Sequence, residues 1–203
     1  MKFGVLGTGQ VGSAVARKLA ALGHDVMMGS RTPRDEKLMA RASALGAAVG
    51  DHAEAAAHGE WIVNALPGEQ AIGVLHGCAL DDKILIDIAN YDHAVDRPIE
   101  TPLGEAIQQA FPKVRLVKTL NSVSAHLMVD PASLSGGHLV FLASNDDAAK
   151  REVTDLLRSF GWSDIFDLGD LGACRAMEQL IPLWMRLEQR LGGPDFNLAV
   201  IRR

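Results

Sequence analysis

The sequence predicts an α/β protein built on a mostly parallel sheet that helices cover on both faces. Short apolar runs alternate with segments of helical periodicity along the chain, as parallel α/β folds require. The apolar runs are nearly continuous, as at residues 61–66 and 83–88, because a strand covered on both faces buries both rows of side chains. A glycine-rich turn joins the first apolar run to the first helical pattern within residues 3–12. These observations favour a Rossmann-type, doubly wound sheet.

The individual elements follow from the apolar runs and from the turn residues that bound them. Strands are predicted where apolar residues cluster between Gly, Pro, Asp or Asn, at residues 3–6, 25–30, 47–49, 61–66, 83–88, 114–117, 139–143 and 165–168. Helices are predicted directly after the glycine turn and at residues 36–45, 51–58, 69–76, 103–111, 146–160 and 171–191. Asn145 is expected near the N-cap of the helix at 146–160, residues 90–102 as a loop, and residues 196–201 as an additional edge strand.

The 203 residues contain no repeat, no low-complexity tract and no Gly/Ser linker. We therefore expect one compact unit, in which residues 1–117 form a Rossmann core and residues 118–203 a small C-terminal α/β extension packed on it. A hydrophobic content of 48% and a charged content of 22% are ordinary for a globular protein. The net charge of −5 without a basic run argues against nucleic acid as a partner.

Membrane and metal chemistry are not expected either. No apolar stretch approaches the ~20 residues that span a bilayer, and the first residues already form a predicted strand rather than a signal peptide. Cys78 and Cys174 lie far apart, without a CxxC motif or a His/Cys cluster. Reduced thiols in a cytoplasmic protein, with no metal site, are the expected state.

The first turn reads Gly7-Thr8-Gly9-Gln10-Val11-Gly12. In a dinucleotide-binding turn the first glycine allows the tight bend, the second lets a pyrophosphate approach the backbone, and the third lets the helix pack closely on the sheet. The N-terminus of the following helix offers free N–H groups and a partial positive charge to the phosphates. A glycine turn in some other α/β protein is the alternative, and the end of the second strand argues against it.

That strand ends at Gly29-Ser30-Arg31, with Arg34 close behind. An NAD site usually has Asp or Glu at this place for the ribose 2′-OH, and none stands at the tip here. A hydroxyl and a guanidinium suit a 2′-phosphate dianion, since Arg can donate two parallel charge-assisted hydrogen bonds. The sequence therefore predicts NADP(H) rather than NAD, although Arg31 and Arg34 are also compatible with solvated surface charges.

The substrate should lie outside the carboxyl ends of the strands. The ends to consider are Leu66-Pro67, Asn90 and residues 118–124, which include Asn121 and Ser122. Leu66-Pro67 could border the nicotinamide or simply end its strand. Asn121 and Ser122 offer hydrogen bonds, and His126 is the titratable candidate nearby, although a lone histidine is more often structural.

The lack of a strong base at these strand ends bears on the reaction. Oxidation of an alcohol needs a group that takes the hydroxyl proton. Hydride transfer between two stacked redox rings needs mainly a dry, shaped cleft and correct orientation. Asn, Ser, Pro and backbone groups suffice for that.

Several motifs together resemble the NADPH:deazaflavin oxidoreductases, which pass hydride between NADP and coenzyme F420. They are residues 4–31, Leu66-Pro67, the run VKTLNSVSA at residues 117–125, and the tail pattern R-x-x-E-x-L-x-P-L that begins at Arg175. The same signatures occur in the cytosolic NADPH domain of the six-transmembrane ferric reductases. The resemblance implies that residues 8–11 line the pyrophosphate, Ser30 and Arg31 the 2′-phosphate, and Leu66-Pro67 and Asn121-Ser122 the nicotinamide and the flavin-like ring.

At one place the chain departs from the archaeal deazaflavin enzymes, which carry His-Thr-Ile-Pro where this chain has residues 121–124, Asn-Ser-Val-Ser. Asn at this place is more similar to the ferric-reductase domain, which works with an ordinary flavin. The resemblance therefore implies NADP(H) as cofactor and coenzyme F420, FMN or FAD as the acceptor. It implies no haem, because the membrane half of the ferric reductases is missing from this sequence.

The predicted last helix carries an apolar stripe, with Pro182 predicted to kink the helix. The stripe comprises Met177, Leu180, Ile181, Trp184, Leu187 and Leu191, widened by Leu183 and Met185. It could pack on the core or form a homodimer interface, which the resemblance also implies. The function predicted for the whole chain is an NADP(H)-dependent oxidoreductase with a flavin or deazaflavin acceptor. The alternatives are a non-catalytic NADP(H)-binding redox sensor and a small-carbonyl reductase that uses His126 as proton donor.

Overall fold

The computed structural model describes residues 1–93 and 99–201. Residues 94–98, in the predicted loop, lie outside the described part. The described strands are β1 (Lys2–Leu6), β2 (Asp25–Gly29), β3 (Ala48–Gly50), β4 (Trp61–Asn64), β5 (Ile84–Asp87), β6 (Arg115–Thr119), β7 (Leu139–Ala143) and β8 (Asp164–Asp167). The described helices are α1 (Gln10–Ala21), α2 (Glu36–Ala44), α3 (His52–His58), α4 (Gly68–Leu75), α5 (Leu103–Ala110), α6 (Ala125–Val129), α7 (Asp147–Phe160) and α8 (Cys174–Leu191).

The strands form one sheet in the order β3-β2-β1-β4-β5-β6-β7-β8. Pairing is parallel from β3 through β6, antiparallel between β6 and β7, and parallel again between β7 and β8. The predicted Rossmann-type, mostly parallel α/β fold is therefore confirmed. From β1 the chain adds β2 and β3 on one side, and then returns to add β4 and the later strands on the other side. Ligands of such sheets bind in the crevice outside the point between β1 and β4 where this order changes.

Two apolar cores lie on opposite faces of the sheet, which explains the nearly continuous apolar strands. Consecutive strand residues alternate between the two cores, as Val63 and Ile62 do in β4 and Ile86 and Leu85 in β5. One core includes side chains of α1, α6 and α7, and the other includes side chains of α3, α5 and α8. Because both faces are covered, the functional groups collect at the edge where the parallel strands end.

Local capping fixes where several helices begin. The Asp51 carboxylate accepts from the Glu54 N–H at 2.7 Å while Glu54 accepts from the Asp51 N–H at 2.8 Å, a capping box that starts α3. Asp35 caps α2 through the Leu38 N–H at 2.7 Å. The cap of α7 is Asp146, which accepts from two N–H groups, and Asn145 directly precedes it, near the N-cap as predicted. Asn145 itself accepts from the Leu171 N–H at 3.0 Å and ties a later turn to the sheet.

The C-terminal region differs from the prediction in three respects. Residues 171–173 form a 3₁₀ turn, so that α8 begins only at Cys174, and α8 then runs on through Pro182 to Leu191. Residues 196–201 form no strand: the Leu139 N–H donates to the Leu198 carbonyl at 3.0 Å, which is one contact rather than a ladder. The helix α6, with the sequence AHLMV, was not predicted, because five residues are too few to show a helical period.

Most of α8 packs loosely against the rest of the described chain. Its buried residues are Cys174, Met177 and Glu178. Further along the predicted apolar stripe, Leu183 is 52% exposed and Leu191 is 63% exposed. Among the described residues, no helix is both long enough and apolar enough to cross a bilayer.

Candidate functional site

The glycine turn between β1 and α1 leaves an open approach to the backbone. Gly7 has a φ of +116°, and a Cβ there would lie 2.5 Å from the Ala65 carbonyl oxygen. A Cβ on Gly12 would collide with the Gly7 carbonyl oxygen, whereas a Cβ on Gly9 would meet nothing within 4 Å. The first and third glycines are therefore needed for packing, and Gly9 faces free space that a ligand can occupy.

Helix α1 presents its unpaired N–H groups at this opening. No side chain caps it, and its first backbone bond runs from the Ser13 N–H to the Gly9 carbonyl at 2.9 Å. The N–H groups of Gln10, Val11 and Gly12 precede that bond and carry the partial positive charge of the helix end. The Arg41 guanidinium donates to the Thr8 carbonyl at 2.6 Å, which fixes the turn. The arrangement suits an anion such as a pyrophosphate.

A cleft of about 630 Å³ opens beside this turn. Its lining residues are Gly7, Thr8, Gly9, Gly29, Ser30, Arg31, Thr32, His52, Ala65, Leu66, Pro67, Gln70 and Val74. The cleft thus brings together the ends of β1, β2 and β4, including seven of the residues named from the sequence. The other predicted site residues, which do not line this cleft, are Gln10, Val11, Gly12, Arg34, Asn90, Asn121, Ser122 and His126.

The far end of the cleft is formed by the turn after β2. The Ser30 N–H donates to the Gly50 carbonyl at 3.0 Å, and the Ser30 hydroxyl accepts from the Thr32 N–H at 3.1 Å. Arg31 projects from this ordered turn and is exposed. His52 lies on the same wall; burial lowers its pKa below 6.5, Asp51 opposes this shift, and the positive charge of Arg31 adds to it. Sequence reasoning missed Thr32 and His52, since neither belongs to the glycine or arginine motif.

A fully buried ion cluster lies behind the ends of β4, β5 and β6. The Lys118 ammonium donates to Asp87 Oδ2 at 2.8 Å and to the Ala89 carbonyl at 2.6 Å, and lies 3.1 Å from Glu178 Oε1. Asn64 donates to the other Asp87 oxygen at 2.8 Å. Burial opposes the charge on Lys118, but the two carboxylates outweigh it and raise its pKa. Charged residues inside the apolar runs around 87 and 118 were the available signal, which sequence reasoning did not use.

Glu178 connects this cluster to α5 and α8. Its two carboxylate oxygens accept from the N–H groups of Leu103 at 2.8 Å and Gly104 at 3.1 Å, at the first turn of α5. Cys174 packs beside Gly104, and burial is the main factor that raises the pKa of its thiol to about 12. The C-terminal helix is therefore held to the sheet edge by a buried charge rather than by apolar contacts alone.

Asn90 and Asn121 join the ends of β5 and β6. Asn90 Nδ2 donates to the Asn121 carbonyl at 2.8 Å, and Asn121 Nδ2 donates to Asn90 Oδ1 and to the Met177 carbonyl, both at 3.0 Å. The preceding Leu120 has a φ of +60°, a backbone conformation that costs free energy in a non-glycine residue and is frequent at functional sites. The buried Asn121 Oδ1 has no hydrogen-bond partner in the described part of the chain.

His126 lies elsewhere. It belongs to α6, and its Nε2 is 2.9 Å from Asp195 Oδ1. It lines a second groove of about 350 Å³ that also contains Gly9, Gln10 and Arg41. The structure thus brings His126 close to the α1 side of the turn and not to the cleft. In the described ranges, no group of three or more His, Cys, Asp or Glu residues could hold a metal ion.

Comparison with known proteins decides the family. A family model described as NADP oxidoreductase, coenzyme F420-dependent, matches residues 2–91. A crystal structure from Arthrobacter sp. FB24, of a protein proposed to be an F420-dependent NADP reductase, is 41% identical, superimposes with a TM-score of 0.92, and each chain covers 100% of the other. The chain belongs to the F420-dependent NADP oxidoreductase family.

Two curated metalloreductases are similar to this chain. STEAP3 of Rattus norvegicus is 28% identical over 191 residues, which are 90% of this chain and 38% of the relative. STEAP2 of Homo sapiens is 30% identical over 179 residues, which are 87% of this chain and 35% of the relative. The chain therefore spans well under half the length of the curated relatives it matches. What the comparisons show is membership of an NADP oxidoreductase family.

Proposed function

We propose that this protein passes hydride between NADPH and a flavin or deazaflavin. The observation that carries the proposal is the composition of the cleft. It joins an open glycine turn and a basic end around Ser30 and Arg31 to an apolar step at Leu66-Pro67. The titratable side chains among its lining residues are Arg31 and His52, both at the β2 end. A cleft without an acid or base near the apolar step suits transfer between two stacked rings.

Each part of the cleft would hold a different part of NADPH. The N–H groups of Gln10, Val11 and Gly12 face the pyrophosphate, and the open space at Gly9 lets it approach. Ser30, Arg31 and Thr32 bind the 2′-phosphate, while Arg34 adds positive charge from outside the cleft. Leu66 and Pro67 support the nicotinamide, which NADPH presents as the hydride source.

The second redox ring would stack near the ends of β5 and β6. Asn90, Asn121 and Ser122 lie at these strand ends and would position the ring there. The buried Lys118–Asp87 pair holds these strand ends in place from behind. Such preorganisation orients the rings and excludes water, which is what hydride transfer requires of the protein.

The experiment is anaerobic oxidation of NADPH with riboflavin, FMN, FAD and coenzyme F420 in parallel. We expect turnover with at least one of them. The rate of NADPH oxidation should be the same in the His126→Ala variant, because His126 lies outside the cleft. Tight NADPH binding without turnover on any acceptor would contradict the proposal and favour a redox sensor. Loss of turnover in the His126→Ala variant would favour a reductase that uses His126 as proton donor.

We further propose that α8 pairs with its counterpart in a second copy of the chain. The support is three exposed apolar side chains on this helix, Leu183 at 52%, Met185 at 45% and Leu191 at 63% exposure. A partner helix would cover part of this apolar surface. A cytoplasmic location remains a prediction, for which the free thiols of Cys78 and Cys174 are the support.

A further inference from the structure

The turn after β3 is built directly against the turn that we assign to the 2′-phosphate. The Gly50 carbonyl accepts from the Ser30 N–H at 3.0 Å. A Cβ placed on Gly29 would lie 3.2 Å from the Cα of His52, so the two backbones are in contact immediately before Ser30 and Arg31. His52 therefore has a fixed position beside that turn, on the wall of the same cleft.

The imidazole of His52 has no described task in holding the fold. Its backbone carbonyl accepts weakly from the Cys78 thiol at 3.5 Å, and the capping of α3 is done by its neighbours Asp51 and Glu54. No hydrogen bond or ion pair of the ring occurs within the described ranges. A half-buried histidine that faces a basic cleft without a structural partner is a candidate ligand contact.

We propose that the His52 imidazole takes up a proton when the 2′-phosphate of NADPH binds beside Arg31, so that it contributes to the choice of NADPH over NADH. This inference rests on the proposed placement of the 2′-phosphate at Ser30, Arg31 and Thr32. The proton comes from solvent, and the imidazolium gains a charge-assisted contact with the phosphate.

The charges around His52 determine whether NADPH affinity rises or falls with pH. In the free protein, burial lowers the pKa of His52, Asp51 raises it, and Arg31 lowers it further. Glu54 on the same helix adds negative charge, while burial raises the pKa of the Cys78 thiol and keeps that group neutral. A phosphate dianion beside Arg31 offsets the positive charge and raises the pKa of His52. Between the free and bound values the complex binds more protons, so affinity for NADPH falls as pH rises.

The test measures dissociation constants for NADPH and NADH from pH 5.5 to 8.5 in the wild type and in His52→Gln. The 2′-phosphate itself titrates near pH ~6, but that contribution is common to both proteins, so their difference isolates His52. We expect the wild-type preference for NADPH to fall with pH more steeply than that of the variant, by up to about tenfold per pH unit. NADH affinity should have the same pH dependence in both proteins.

His58→Gln is the matched control, because it removes the histidine at the other end of the same helix, 3.2 Å from Asp25 and outside the cleft. Calorimetry in two buffers of different ionisation enthalpy should show greater proton uptake on NADPH binding for the wild type and His58→Gln than for His52→Gln. If the NADPH preference changes with pH equally in wild type and His52→Gln, and proton uptake is the same, the role of His52 is wrong but the proposed 2′-phosphate site still stands. If the wild type binds NADPH and NADH equally at every pH, the proposed 2′-phosphate site is wrong and the role of His52 is wrong with it.

Discussion

The Lys118 side chain shows how far single residues determine this sheet edge. Its ammonium is fully buried and lies between Asp87 and Glu178, with the Ala89 carbonyl as a third acceptor. Exposed pairs such as Lys113 with Asp81, at 2.9 Å, have side chains about 70% exposed and contribute little because solvent screens them. A buried pair behaves differently, since removal of one partner leaves the other charge without compensation.

We therefore expect Lys118→Met to lower the free energy of unfolding by about 3–5 kcal/mol, measured as a shift of the urea midpoint. The control Lys113→Met should hardly move the midpoint. The double variant Lys118→Met, Glu178→Gln should recover part of the loss, because one of the two uncompensated carboxylates is then neutral. A midpoint unchanged by Lys118→Met would show that the cluster does not hold the strand ends.

Sequence reasoning found the residues within each motif and missed the contacts that join one motif to another. The glycine turn, Ser30, Arg31 and Leu66-Pro67 were all recognised, because their chemistry depends on local order along the chain. The cluster of Lys118, Asp87 and Glu178 brings together residues 31 and 60 or more positions apart. No local pattern connects them, and only the parallel register of β5 and β6 with α8 above them makes the cluster visible.

At the scale of elements, the turn between β1 and α1 separates a folding role from a binding role. A Cβ on Gly12 would collide with the Gly7 carbonyl oxygen, while a Cβ on Gly9 has open space of 4 Å around it. Gly12→Ala must push α1 away from β1. Gly9→Ala leaves the packing intact and places a methyl group where a pyrophosphate would lie.

We expect Gly12→Ala to lower the melting temperature markedly, because α1 belongs to the main core. Gly9→Ala should leave the melting temperature of the free protein nearly unchanged. It should weaken NADPH binding by about tenfold or more, and tenfold corresponds to about 1.4 kcal/mol of binding free energy. Differential scanning calorimetry and NADPH titration distinguish the two effects. If Gly9→Ala bound NADPH as well as the wild type, the proposed contact at this turn would be wrong.

The strands that pack between the two apolar cores were predicted best. In β4 and β5 every residue is buried, and the resulting short apolar run between turn residues predicts a buried strand. Residues 196–201 look similar in composition, but only one backbone bond, from the Leu139 N–H, reaches this segment. Apolar composition predicts burial and not pairing, which is why the predicted edge strand was wrong.

At the scale of the whole molecule, α8 has two functions at its two ends. Near its start, Glu178 fixes it to α5 and β6. Beyond Pro182, Leu183, Met185 and Leu191 are exposed, and a second copy of the chain is the proposed cover. Helices of this kind bury an apolar stripe once a partner is present.

Sedimentation at micromolar concentration should give a dimer for the wild type and a monomer for Leu183→Glu, because a charge in an apolar interface costs its desolvation. Glu188→Gln, on the same helix, is the control and should remain dimeric. A wild-type monomer at every concentration measured would rule out the paired α8.

Titration of wild type and Arg31→Glu with NADPH and with NADH tests the placement of NADPH in this cleft. We expect the variant to lose about 10–100-fold in NADPH affinity, the range expected for a charged hydrogen-bonding partner, while NADH binding changes little. Arg34→Glu should have a smaller effect, because Arg34 does not line the cleft. Equal losses for the two nucleotides in Arg31→Glu, or no loss for either, would contradict the placement of NADPH in this cleft.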